Sequence, residues 1–134
     1  MKRFGLLATL ILSIILSTTN FAFAGGSYTP RKGSVERNAI IKALHGAYKK
    51  RFHKDASFIV EEIKIQNGWA SIYTRIEASG GKYGGNWAAI LRGSKARWKI
   101  VGAFTGPESS KGGGALARRY PQIPEDVLVP LDQP

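Results

Sequence analysis

The sequence predicts an α+β fold: one N-terminal amphipathic helix packed on a four-stranded antiparallel curved sheet, with an irregular Pro-spaced C-terminal tail. Three observations predict it. Between residues 35 and 51, apolar residues recur with the helical period; from Ser57 onward the period becomes two; and the period-two runs are divided by short turn signals, above all Asn67-Gly68. Short connections make neighbouring strands antiparallel, and a helix with one apolar stripe must bury it against the sheet.

The residues ahead of this domain read as a secretory signal peptide. Lys2 and Arg3 open the chain, Leu6 to Leu16 is apolar apart from Thr9 and Ser13, and Ala22-Phe23-Ala24 offers an A-x-A cleavage site, predicting cleavage after Ala24. The apolar run covers 11 residues, against about 20 for a membrane-spanning helix. The expectation is a periplasmic or secreted bacterial protein with no transmembrane segment in the mature chain. Its 110 residues, Gly25 to Pro134, suit one domain. There is no Cys, so stability rests on packing without disulfides. Removing Lys2 and Arg3 leaves 18 basic residues against 9 acidic ones, a charge of +9. A charge of that size attracts anions. In a bacterial envelope these are anionic polymers, lipid headgroups or an acidic protein; an exported chain is not expected to meet nucleic acid.

Residues 25–33 (GGSYTPRKG) read as a flexible leader to a single domain spanning 34–134. Ser34 suits an N-cap, with Glu36 in the first turn. Ile40, Ile41, Leu44, Ala47 and Tyr48 form the helical stripe, and Lys49-Lys50-Arg51 close the last turn, where cations suit the helix dipole. Gly46 is an internal weakness or a point of close approach. In the first strand, Phe58, Val60, Ile63 and Ile65 change phase at Glu61-Glu62, which predicts a β-bulge. Asn67-Gly68 then predicts a type I′ hairpin, since both residues tolerate positive φ. The second strand, Trp69 to Ala78, puts Ala70, Ile72, Thr74 and Ile76 on one face and Trp69, Ser71, Tyr73, Arg75 and Glu77 on the other. Ser79 to Asn86, with four Gly in eight residues, predicts a mobile loop. A third strand is expected over 87–92, a turn at Gly93-Ser94-Lys95, and a fourth strand over 96–105. From about residue 106 the chain reads as a tail: flexible to Gly114, a short helix over 115–120, then a segment spaced by Pro121, Pro124 and Pro130. Pro124-Glu125-Asp126 suits the start of a helical turn.

No catalytic constellation stands out, so the expectation is a non-enzyme without cofactor or metal. His45 and His53 are eight residues apart, not the three or four that put two metal ligands on one helix face. Adjacent Glu61 and Glu62 on a strand point to opposite faces and do not flank one substrate, as glycoside hydrolysis requires. Without Cys, thiol catalysis is excluded. Neither GGKYGG nor KGGGA has the spacing or context of a phosphate-binding loop.

The order helix, strand, hairpin, strand, loop, strand, strand resembles the layout of cystatin-like and nuclear-transport-factor-like folds. More locally, Arg37 to Leu44, Gly68-Trp69-Ala70, Ala88 to Arg92 and Trp98 to Val101 resemble a group of small secreted bacterial proteins of uncharacterised function. These are mostly structural residues, so the resemblance implies a fold and no chemistry. Gln66-Asn67-Gly68-Trp69 occupies a hairpin comparable to the Gln-x-Val-x-Gly hairpin with which cystatins plug protease clefts, but lacks the central Val. Ser79-Gly80-Gly81-Lys82-Tyr83, followed by Trp87, resembles a segment of bacterial inhibitors of chicken-type lysozyme; that family is a β-barrel without a leading helix.

The remaining signal is basic and aromatic. If the helix covers the Ala70/Ile72 face, the opposite face carries Trp69, Tyr73 and Arg75, with Lys82, Tyr83, Arg92, Arg97 and Lys99 on or beside it. These eight residues are the candidate binding surface. It would serve a non-catalytic module contacting an anionic envelope polymer or lipid, or an acidic protein. The alternative is an inhibitor or immunity protein directed at a secreted hydrolase. One further possibility is open at this level: Ile123, Val127 and Leu128 of the tail fold back over Trp69 and Tyr73.

Overall fold

A computed structural model describes residues 26–78 and 82–132. The signal-peptide reading of 1–24, and Ser79 to Gly81 of the Gly-rich loop, lie outside the described residues. The chain is α+β, with a four-stranded antiparallel sheet in the order β1-β2-β3-β4. Its elements are α1 (Val35–Phe52), β1 (Ser57–Gln66), β2 (Trp69–Ala78), β3 (Lys82–Ser94), β4 (Arg97–Thr105), α2 (Gly106–Arg119), α3 (Glu125–Leu128) and a 3₁₀ turn (Val129–Leu131). Among the described residues, no helix is long and apolar enough to cross a membrane.

Local chemistry accounts for the element boundaries. The Ser34 hydroxyl accepts the Arg37 N–H, and α1 ends where His53 turns left-handed and donates its N–H to the Lys49 carbonyl. Asn67 and Gly68 have φ of 50° and 79°, and Gln66 pairs with Trp69, so the hairpin loop has two residues. The β1–β2 register shifts between Val60 and Glu62, the position marked by the phase change at Glu61-Glu62. A second shift faces Ile76, where Gly84 and Gly85 together oppose one residue. A Cβ on Gly84 would stand 3.2 Å from the Ile76 carbonyl oxygen, so the bulge favours glycine there. This corrects the mobile-loop expectation for 82–86: β3 starts at Lys82, opposite Ala78. A third shift lies at Ile90/Leu91, across from Val101.

Among the described residues, two buried clusters form the core. In the first, Ile40, Leu44 and Tyr48 of α1 meet Ile63, Ile65, Ala70, Ile72, Trp87, Ala89 and Leu91. In the second, Trp69, Tyr73, Ala88 and Ile90 meet Ile123, Val127 and Leu131, with Val101, Phe104, Leu116, Tyr120 and Leu128 around them. Alternate residues of β2 therefore feed different clusters, and the strand is buried without interruption from Trp69 to Thr74.

Two expectations about flexible segments are corrected. The stretch after residue 105 is a 14-residue helix, α2, running through Gly112, Gly113 and Gly114. The start is local, a Thr105/Glu108 capping box with Pro107 in the first turn, and the glycine run is held by tertiary contacts. A Cβ on Gly112 would sit 2.1 Å from the Phe104 ring, so the missing side chain is the space that the ring occupies. The Ser109 hydroxyl donates 2.8 Å to the Leu131 carbonyl and fixes α2 to the 3₁₀ turn. The leader is also docked. Tyr28 and Ile65 exchange two backbone hydrogen bonds of 2.9 Å, and Thr29 Oγ1 donates to the Ile63 carbonyl.

Candidate functional site

The eight sequence-selected residues do not form one surface. Trp69 and Tyr73 are buried, at 3% and 9% exposure. Their assignment to an open binding face is corrected: the C-terminal segment lies over them, with Ile123, Val127 and Leu131 in the same cluster. Tyr120 stacks 5.7 Å from Trp69, and the Arg92 guanidinium lies 5.1 Å over the Trp69 ring. Arg92 is exposed and caps the edge of that ring. Arg75 pairs with Glu61 at 3.4 Å, which offsets its charge. Lys82 and Tyr83 open β3 opposite Ala78 and Glu77. Arg97 and Lys99 remain exposed on β4, the last strand of the sheet. Cations on a sheet edge also discourage strand-to-strand aggregation.

Lys99 belongs to a site that spacing alone does not reveal. A groove of about 450 Å³ runs between the last turns of α1 and β4, lined by Gly46, Ala47, Lys50, Arg51, Lys99 and Ile100. Three of the six lining residues are cations and none is acidic. Lys50 and Arg51 are there because the basic C-terminal turn of α1 ends beside this strand. That turn was visible in the sequence; its juxtaposition with Lys99, 48 residues later, was not.

The geometry of Arg51 is fixed from several sides. Its guanidinium lies 5.3 Å from the Phe52 ring and 5.5 Å from the Trp87 ring. It also stands 3.7 Å from the Glu108 carboxylate at the start of α2. Hydrogen bonds from Thr105 hold the Glu108 carboxyl below the usual carboxylate range, and Arg51 adds to this lowering. Lys50 and Lys99 have no carboxylate partner among the described residues. The groove is therefore electropositive, with two cations available to a ligand and a third shared with Glu108.

Gly46 is the anomaly in the lining. A glycine inside a helix costs about 1 kcal/mol relative to alanine. A Cβ at Gly46 would meet nothing within 4 Å, and its backbone is not left-handed. The fold itself gives no reason for glycine here.

A second cavity, about 380 Å³, lies between α2 and the C-terminal turns and carries Glu125, Asp132 and Ser110 beside Leu128, Val129 and Leu131. Its charge is opposite to the groove's, and Ser110 already donates to Asp132 at 2.8 Å. Among the described residues, no group of His, Asp or Glu is placed to hold a metal ion. His45 stacks edge-on against Phe58 with ring centroids 4.6 Å apart, while His53 terminates α1.

No family model matches the chain, and comparison with curated proteins and with solved structures finds no similar protein. The functional reading therefore rests on the site.

Proposed function

We propose that this chain is a non-catalytic binding module of the bacterial periplasm or extracellular space, with a cystatin-like layout in which α1 lies across one face of the sheet. It contacts an anionic envelope component through the basic groove between α1 and β4. The observation that carries this reading is the lining itself: Lys50, Arg51 and Lys99 converge with no carboxylate among the lining residues. It revises the position of the expected basic surface, from the sheet face to the sheet edge.

The test is binding to anionic phospholipid vesicles, lipopolysaccharide and cell-wall polymer at rising salt. Attraction through surface charges weakens as salt screens them. Each Lys near an anionic surface contributes about 1 kcal/mol, so the Lys50→Gln/Lys99→Gln double variant is expected to lose about 30-fold in affinity. Absence of binding at low salt, or unchanged binding by the double variant, overturns the reading.

A second reading is favoured by the hairpin tips. The Asn67-Gly68 and Lys95-Ala96 turns lie at the same end of the sheet, where the Gly93 N–H donates 3.0 Å to the Gly68 carbonyl. Two neighbouring exposed tips suit an inhibitor or immunity protein that engages a hydrolase. A hydrolase retained at high salt in a pull-down from culture supernatant, and released by substitutions at Asn67 and Lys95, supports it over the groove.

A further inference from the structure

We infer that the α1–β4 groove takes one particular class of anion, an amphiphile with a phosphate head and an aliphatic chain. This rests on the basic-groove reading and narrows it. A polyanion or bare phosphate requires only the cations. The groove has more than that: beside Lys50, Arg51 and Lys99 its lining holds three uncharged residues, Gly46, Ala47 and Ile100. Its volume of about 450 Å³ falls in the range of small-molecule sites, roughly 300–1,000 Å³.

Gly46 is the independent observation. Neither the helix nor its packing gives a reason for glycine there, since an added Cβ touches nothing within 4 Å. Gly46 is exposed and lines the groove, so the missing side chain leaves space there free. A ligand lying in that space gives the glycine a role, and the uncharged residues lining it are apolar. The cations at the groove wall supply the charge complement for the head. The occupant is therefore an anion with an apolar part: a lipid phosphate held as a single molecule, its head on Lys50, Arg51 and Lys99 and the first methylenes of its chain on Gly46, Ala47 and Ile100.

The test is a chain-length series of ethyl, butyl and hexyl phosphate, with inorganic phosphate and polyphosphate as the chainless probes, followed calorimetrically on the full mature chain. Affinity is expected to rise by about fourfold per methylene that enters the groove and then to level off. Gly46→Leu fills that space and is expected to abolish the chain-length dependence while leaving polyphosphate binding within twofold. Gly46→Ala, which only removes the helix glycine, controls for folding through its thermal midpoint. Lys50→Gln/Lys99→Gln is expected to weaken every probe. If affinity is flat from ethyl to hexyl phosphate while polyphosphate binding is lost in the double variant, the amphiphile inference is overturned and the basic-groove reading stands. If no probe binds at low salt, both fall.

Discussion

The two buried clusters of this molecule are built from different materials. The first is made by large side chains: Ile40, Leu44 and Tyr48 project from α1 at intervals of four residues and meet Ile63, Ile72, Trp87 and Leu91. The second is made partly by absences. Helix α2 buries Ser109 and Gly113, and Gly112 leaves room for the Phe104 ring. Gly102 does the same on β4: a Cβ there would stand 2.7 Å from Leu116. The apolar volume of this cluster comes from the strands and from short segments beyond α2, namely Ile123, Val127 and Leu131. The lesson is that a helix made of small residues is as much part of a core as one made of large ones. It acts as a surface onto which others pack, and it depends on those others for its own stability.

The largest expected effect breaks the second cluster outright. A chain ending at Tyr120 loses Ile123, Val127 and Leu131, each buried. Burying a side chain of this kind is worth about 1.5–3 kcal/mol, so the deletion removes about 5–9 kcal/mol. Total stability of a small domain is about 5–15 kcal/mol. Urea denaturation is expected to lose its cooperative transition or to shift to very low midpoint, and Trp69 emission to move to longer wavelength as its cover goes. A truncated chain with an unshifted midpoint and unchanged emission would falsify the role assigned to the C-terminal segment.

The same contrast explains what the sequence disclosed. Large residues at helical spacing made α1 legible, and Asn67-Gly68 and Glu61-Glu62 marked the first hairpin and its bulge because each is a local signal. Helix α2 carries a local start signal that the flexible-tail expectation passes over, the Thr105/Glu108 capping box with Pro107 in the first turn; its glycine run hid the rest, because the Phe104 ring and the Ser109–Leu131 bond that support it require tertiary structure. The first residues of β3 were hidden for a related reason: Gly84 and Gly85 read as a loop, yet they form a bulge opposite Ile76. The expectation of an open aromatic face is tied to the first of these. With α2 and the tail read as irregular, the sequence leaves open whether Ile123, Val127 and Leu128 cover Trp69 and Tyr73; in the structure Ile123, Val127 and Leu131 lie in their cluster. Lys99 was recognised as a cation, but its companions Lys50 and Arg51 join it only through the fold.

A smaller perturbation sharpens the comparison without breaking the molecule. Gly112→Ala places a methyl group 2.1 Å from Phe104. Overpacking costs about 1–3 kcal/mol, and alanine returns up to about 1 kcal/mol of helix propensity. Net destabilisation of about 1–2 kcal/mol is expected in urea denaturation. Adding Phe104→Leu removes the ring that causes the clash, so the double variant is expected to be less destabilised than the sum of the two single variants. Strict additivity would show that the ring and the glycine are not coupled, and the account of α2 as a packing surface would fail.

The smallest effect lies where the leader meets α1. The Tyr28 hydroxyl donates 2.7 Å to a Glu36 carboxylate oxygen. Partial burial, then the hydrogen bond and negative charge of Glu36, push the Tyr28 pKa from 10.0 up to about 12. The folded-state value lies above the unfolded one, so the neutral phenol contributes stability fully below pH 10.0, and that contribution fades as pH rises through about 12. Tyr28 is half exposed, which keeps the effect small. An ultraviolet titration is expected to show one phenol ionising near pH 12, a phase that Tyr28→Phe removes and Glu36→Gln moves toward lower pH. The stability gap between wild type and Tyr28→Phe is expected to close over the same interval. Tyr28 is hydrogen-bonded to Glu36 of α1 and Ile65 of β1, whereas Gly112 lies against Phe104, so Gly112→Ala is expected to leave this titration in place. A shifted Tyr28 phase in that variant would show that the two clusters communicate through the sheet, and that their different construction does not make them energetically separate.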